Sequence, residues 1–145
     1  MREVTNRMDM KIAGYSRNES LARMCAAAFA AQLDPTVEEI NDIKAAVSEA
    51  VTNCIVHAYP DCIGDISLRM KILDNDTIYI KITDKGVGID DIEKAMQPMF
   101  TTCPEGERAG LGFAVMQSFT DSVKVTSRPG KGTSVTMQKK LGRKG

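Results

Sequence analysis

The chain has 145 residues, 43% hydrophobic and 26% charged, the size and make-up of one globular domain with a core of its own. Nineteen basic residues balance nineteen acidic ones around a single His, so it lacks the basic excess of a domain that holds nucleic acid by neutralising phosphates. Its four Cys include no C-x-x-C pair and its longest apolar run, Met24–Ala31, is far short of a membrane span of about 18–20 residues.

The first segment alternates, with Met8, Met10 and Ile12 against Asp9 and Lys11, and predicts a strand. Ser16-Arg17-Asn18-Glu19 matches the S-x-x-E capping box at a helix start, and Leu21, Met24, Cys25, Ala28 and Phe29 follow at helical spacing as its buried face. Asp34-Pro35 ends that helix. Thr36-Val37-Glu38-Glu39 is a second capping box, opening a long helix that runs to Tyr59-Pro60 with the stripe Ile40, Ile43, Val47, Val51 and Cys54.

Two alternating runs, Ile66/Leu68/Met70/Ile72 and Ile78/Ile80/Ile82, flank Asp74-Asn75-Asp76 and predict a β-hairpin. A Gly-containing loop, a short helix near Asp91–Met96 and an irregular stretch from Gln97 to Gly110 follow. The chain closes with a helix through Phe113, Val115, Met116 and Phe119. Two strands around Val123/Val125 and Val135/Met137 then flank the turn Arg128–Gly132. The order β-α-α-β-β-α-loop-α-β-β predicts an α+β two-layer sandwich, a mixed sheet covered by helices on one face, as a single domain over 1–145. The Cys spacing and the absence of an apolar N-terminal segment predict reduced thiols and a cytoplasmic protein.

Four features lie outside the core pattern. Glu49 and Asn53 stand one helical turn apart, away from the apolar stripe, and His57 continues that row at the next i+4 step. By themselves they read as a solvated helix face. Asp84-Lys85-Gly86-Val87-Gly88 directly follows a strand, where an Asp can hold a ligand group while the glycines let the backbone pass close; a plain turn explains the same residues. Gly110-Leu111-Gly112 opens a helix whose N–H groups could face phosphate oxygens, and Gly132-Thr133 ends the last turn. There is no G-x-x-x-x-G-K-[ST], H-R-D or D-F-G, which excludes a P-loop NTPase and a eukaryotic-type protein kinase.

In that order, Glu49…Asn53, Asp84-x-Gly86-x-Gly88, Gly110-x-Gly112 and Gly132-Thr133 resemble the motif set of the GHKL (Bergerat-fold) ATPases. The segments Leu33–Thr36, Val47–Asn53, Gln97–Thr102 and Pro104–Phe113 are further similar to the sporulation anti-sigma factors of that superfamily, small protein-serine kinases, over about Met8 to Lys140.

The resemblance implies ATP/ADP and Mg²⁺ as cofactors, with Asn53 the Mg²⁺ ligand and Glu49 the base that accepts the proton of an attacking serine hydroxyl. It makes Asp84 the acceptor for the adenine amino group, with Gly86 and Gly88 closing around the base and Thr133 supporting it. Residues 97–110 become the ATP lid, carrying Thr101, Thr102 and Arg108, the last to neutralise γ-phosphate charge. Gly110 and Gly112 bring the next helix toward the phosphates.

The partners implied are RNA polymerase sigma factor F, held in the ATP state, and an anti-anti-sigma protein that is the serine substrate and is held in the ADP state. A homodimer is implied as well, with no direct nucleic acid contact and no membrane. Arg23, read as opposite the Leu21/Met24/Cys25 face, is the sigma-contacting residue on this resemblance. Lys85, Cys103 and Gly106 depart from the pattern, in and around the lid and the Asp84 motif.

Overall fold

The computed structural model describes residues 3–89 and 113–142. Five strands, β1 (Val4–Ala13), β2 (Asp65–Leu73), β3 (Thr77–Asp84), β4 (Ser122–Arg128) and β5 (Gly132–Lys140), form one sheet in the order β1-β2-β3-β5-β4. Three helices, α1 (Asn18–Ala30), α2 (Val37–Asn53) and α3 (Phe113–Phe119), accompany it, and α2 packs against α1 on one side and α3 on the other. The short helix expected near Asp91–Met96 lies outside the described residues.

Alternation sets the two faces of the sheet. Ile66, Leu68, Met70, Ile78, Ile80, Ile82 and Met137 are each at most 1% exposed and pack in the core with Ile43, Val47 and Val51 of α2. Burying each of the larger ones stabilises the fold by roughly 1.5–3 kcal/mol. The alternate positions Ser67, Arg69, Lys71, Tyr79, Lys81 and Thr83 lie on the opposite face and are partly or fully exposed. The turn Asp74–Asp76 closes the β2–β3 hairpin as expected, with Asn75 in the left-handed region at φ 60°.

Every strand pair described is antiparallel, where a mixed sheet was expected. β4 does run in the same sense as β3, but β5 turns back through a hairpin and takes the position between them. The crossover therefore skips a strand and creates no parallel pair.

The helices correct three readings. At α1 the capping box does not form: Arg17 is already in the helical region, no side chain caps the end, and Glu19 instead accepts from Arg23 Nε at 2.9 Å. Asn18 Nδ2 donates to the Ala13 carbonyl at 2.8 Å, which starts the helix two residues beyond Ser16. The buried face of α1 is Ala22, Ala26, Phe29 and Ala30, while Leu21 and Met24 are 48% and 54% exposed.

At α2 the box is present. Thr36 Oγ1 accepts from the Glu39 amide at 3.0 Å, and Glu39 Oε1 accepts from the Thr36 amide at 2.9 Å. The α-helix stops at Asn53, however, and Cys54–Ala58 is one turn of π-helix, so His57 leaves the i+4 row that Glu49 and Asn53 share. Among the described residues no helix is long and apolar enough to cross a membrane.

Candidate nucleotide site

Asp84 ends β3 and is only 6% exposed. Its carboxylate is tied down from three directions. The Gly86 amide donates to Oδ1 at 2.9 Å, the Thr133 amide to the same oxygen at 3.2 Å, and the Cys54 thiol to Oδ2 at 3.5 Å. Burial lifts the Asp84 carboxyl above its ordinary value, opposed by the Gly86 amide, the Cys54 thiol and the Thr133 amide, which favour the charged form. Burial first, and then the Asp84 charge, push the Cys54 thiol well up, so it stays protonated and a donor.

The glycines of the following loop are demanded by close packing. A Cβ on Gly86 would collide with the Ala58 carbonyl of the π-turn, and the Val87 amide donates to that carbonyl at 2.9 Å. Gly88 has φ +80°, and a Cβ there would collide with the Arg128 carbonyl. The loop is therefore pressed between the end of α2 and the β4–β5 turn.

Thr133 sits opposite Asp84 across the β3–β5 ladder, and its hydroxyl pairs with Ser127 Oγ at 2.8 Å. Ser127 also accepts from the Ile89 amide at 2.8 Å and donates to the Gly132 carbonyl at 3.0 Å, fixing where the chain leaves the Gly88 turn. Tyr59 braces the other side: its hydroxyl accepts from the Lys85 amide and donates to the Asp65 carbonyl, both at 2.7 Å.

Glu49 and Asn53 are half-buried on the last turns of α2, one helical turn apart. The side-chain oxygen of Asn53 is buried, as is Nε2 of His57. The residue after Asn53 is the one that touches Asp84, so the helix motif and the Asp-Gly-Gly motif, remote in sequence, meet at the end of α2. Arg23 is less free than its expected role required, because its guanidinium bonds Glu19 and Ser20 and its side chain is 32% exposed. Thr101, Thr102, Arg108, Gly110 and Gly112, with Cys103 and Gly106, lie outside the described residues.

Cys54, Tyr59 and Ser127 were missed by sequence reasoning. Cys54 read as one more member of an apolar stripe, and nothing in the spacing joins position 54 to position 84. The Tyr59-Pro60 pair signalled only the end of a helix.

An α+β sandwich with a buried Asp beside glycine-lined backbone accords with one class, the histidine kinase-like ATPase domains. A family model described as the histidine kinase-like ATPase domain matches residues 15–139. The chain is 62% identical over 141 residues to the anti-sigma F factor of Caldanaerobacter subterraneus subsp. tengcongensis, covering 97% of this chain and 98% of that one. It is 50% identical to the anti-sigma F factor of Clostridium acetobutylicum over 136 residues, 94% of each chain. Among solved structures, the RsbU and RsbW domains of Rv1364c from Mycobacterium tuberculosis share the fold, with a TM-score of 0.71 at 17% identity over 97% of this chain and 34% of that one. The chain belongs to the anti-sigma F factor family of GHKL-type, histidine kinase-like ATPase domains.

Proposed function

We propose that this protein is a cytoplasmic anti-sigma factor and ATP-dependent protein-serine kinase. It holds the sporulation sigma factor F in the ATP state and phosphorylates a serine of an anti-anti-sigma protein. The observation that carries the nucleotide half is the Asp84 carboxylate, buried, held by two backbone amides and one thiol, and suited to accept from an adenine amino group. The identity to anti-sigma F factors along almost the whole chain supports the sigma-directed half.

Asn53 fits a Mg²⁺ ion by its chemistry: a buried, neutral amide oxygen is a hard donor, and Mg²⁺ takes few protein ligands beside phosphate oxygens and water. When bound, the ion supplies positive charge to the phosphates of ATP. Glu49, one turn earlier on the helix, takes the proton of the serine hydroxyl as its oxygen bonds to the γ-phosphorus; the bond from that phosphorus to the β–γ bridging oxygen breaks, and ADP leaves. Arg108 neutralises charge on the transferring group, aided by Thr101 and Thr102. Gly110 and Gly112 bring backbone N–H groups to the phosphates. Gly86, Gly88 and Thr133 enclose the base.

Arg23 contacts the sigma factor once it exchanges Glu19 for an acidic group there. Exposed Leu21 and Met24 beside it supply apolar surface for partner contact in a homodimer.

The test is incubation with Mg·ATP and an anti-anti-sigma protein, followed by detection of phosphoserine. Glu49→Gln should bind ATP as the parent does while transfer falls by about 100-fold or more. Undiminished transfer from that variant rejects Glu49 as the base.

A further inference from the structure

The proposed chemistry leaves Cys54 without a task, although it is 4% exposed and touches the group assigned to adenine. The two oxygens of Asp84 are not equivalent. Oδ1 accepts from the amides of Gly86 and Thr133, which occupies both of its lone-pair directions and fixes the carboxylate plane from the backbone. Oδ2 has the thiol at 3.5 Å as its donor, which leaves that oxygen one further direction in which to accept.

A carboxylate so arranged offers acceptors only. An exocyclic 6-amino group is a donor and complements it; a 6-oxo purine sets lone pair against lone pair at that position and carries its donor on N1 instead, where an Oδ2 held in place does not follow it. Resting on the assignment of Asp84 to adenine, we propose that Cys54 is a positioning and specificity residue: its thiol fixes Oδ2 of Asp84 as a single-acceptor oxygen, so that the site takes 6-amino purine nucleotides and refuses 6-oxo ones. A thiol is a weak donor, so the effect is a modest sharpening of selectivity.

Cys54 could instead be a small apolar filler between α2 and β3. The two roles separate in one experiment, which measures the affinities of the parent, Cys54→Ala and Cys54→Ser for ATP and ITP, nucleotides that differ only in the 6-substituent, amino against oxo, and in the proton that the 6-oxo base carries on N1. The thermal midpoint of each protein without nucleotide is recorded alongside. Cys54→Ala should lose about fivefold in ATP affinity with ITP affinity little changed, narrowing the ATP:ITP ratio by the same factor. Cys54→Ser, which restores a donor of similar size, should recover the parent ratio.

Equal losses for both nucleotides in Cys54→Ala, or a ratio that Cys54→Ser does not restore, overturn the inference and leave Cys54 as filler. A parent protein that binds ATP and ITP alike overturns the adenine assignment of Asp84 and this inference together. A parent that discriminates, with Cys54→Ala discriminating equally, overturns this inference alone.

Discussion

Burial of the Asp84 carboxyl works against stability wherever the group is charged. That carboxyl is raised above the ordinary 3.8 chiefly by burial, so between that value and the raised one the folded chain keeps a proton the unfolded chain has released. Its contribution to stability therefore falls as pH rises through that window. Asp84→Asn removes the dependence, so the stability of the variant relative to the parent, measured by denaturant unfolding, should increase with pH across it. The same change should weaken ATP binding by about tenfold or more, since an amide cannot supply the charged acceptor. A second residue-scale prediction concerns Asn53→Ala, whose ATP affinity should no longer respond to added Mg²⁺; an unaltered response in calorimetry would remove Asn53 from the metal site. At this scale Asp84, Gly86 and Gly88 could be picked out but not told from a plain turn, since Asp and Gly serve both; the burial of the carboxylate is what the spacing does not show. Cys54 could not be picked out at all, because a thiol in an apolar stripe carries no mark of the carboxylate it faces across the fold.

Helix α1 shows where periodicity runs out. Leu21, Met24, Cys25, Ala28 and Phe29 share a helical face, but so do Ala22, Ala26, Phe29 and Ala30, and hydrophobic spacing does not choose between them. Packing against α2 chooses the alanines, whose small side chains let the two helices approach closely. Leu21→Ala and Met24→Ala should thus change unfolding free energy by no more than about 0.5 kcal/mol, whereas Ala26→Leu should cost about 1–3 kcal/mol by overpacking. The two capping boxes diverge for a similar reason. Thr36 is extended, at φ −71° and ψ 164°, as a cap must be, while Arg17 ahead of α1 is already helical. Thr36→Ala should cost about 1 kcal/mol, and Ser16→Ala much less, in the same assay.

Over the whole molecule, strand and helix order were readable from alternation and turn residues, because the strands alternate between a more and a less buried face and each break carries Asp, Asn, Gly or Pro. Strand adjacency was not, since whether β4 or β5 lies beside β3 is decided by the β4–β5 hairpin folding inward, a choice with no local signature. The site depends on that choice: with β5 next to β3, the Thr133 amide reaches Asp84. Val87, between the two glycines, shows how tightly the halves are then sewn. Its amide donates to Ala58 and its carbonyl accepts from the Gly130 amide at 2.6 Å, so one loop residue joins the end of α2 to the β4–β5 turn. In hydrogen-exchange terms the loop should open with its neighbours: the amides of Val87 and Gly130 should exchange with deuterium as slowly as neighbouring strand amides, because each is bonded to a carbonyl of a different stretch of chain and the loop is held at both ends.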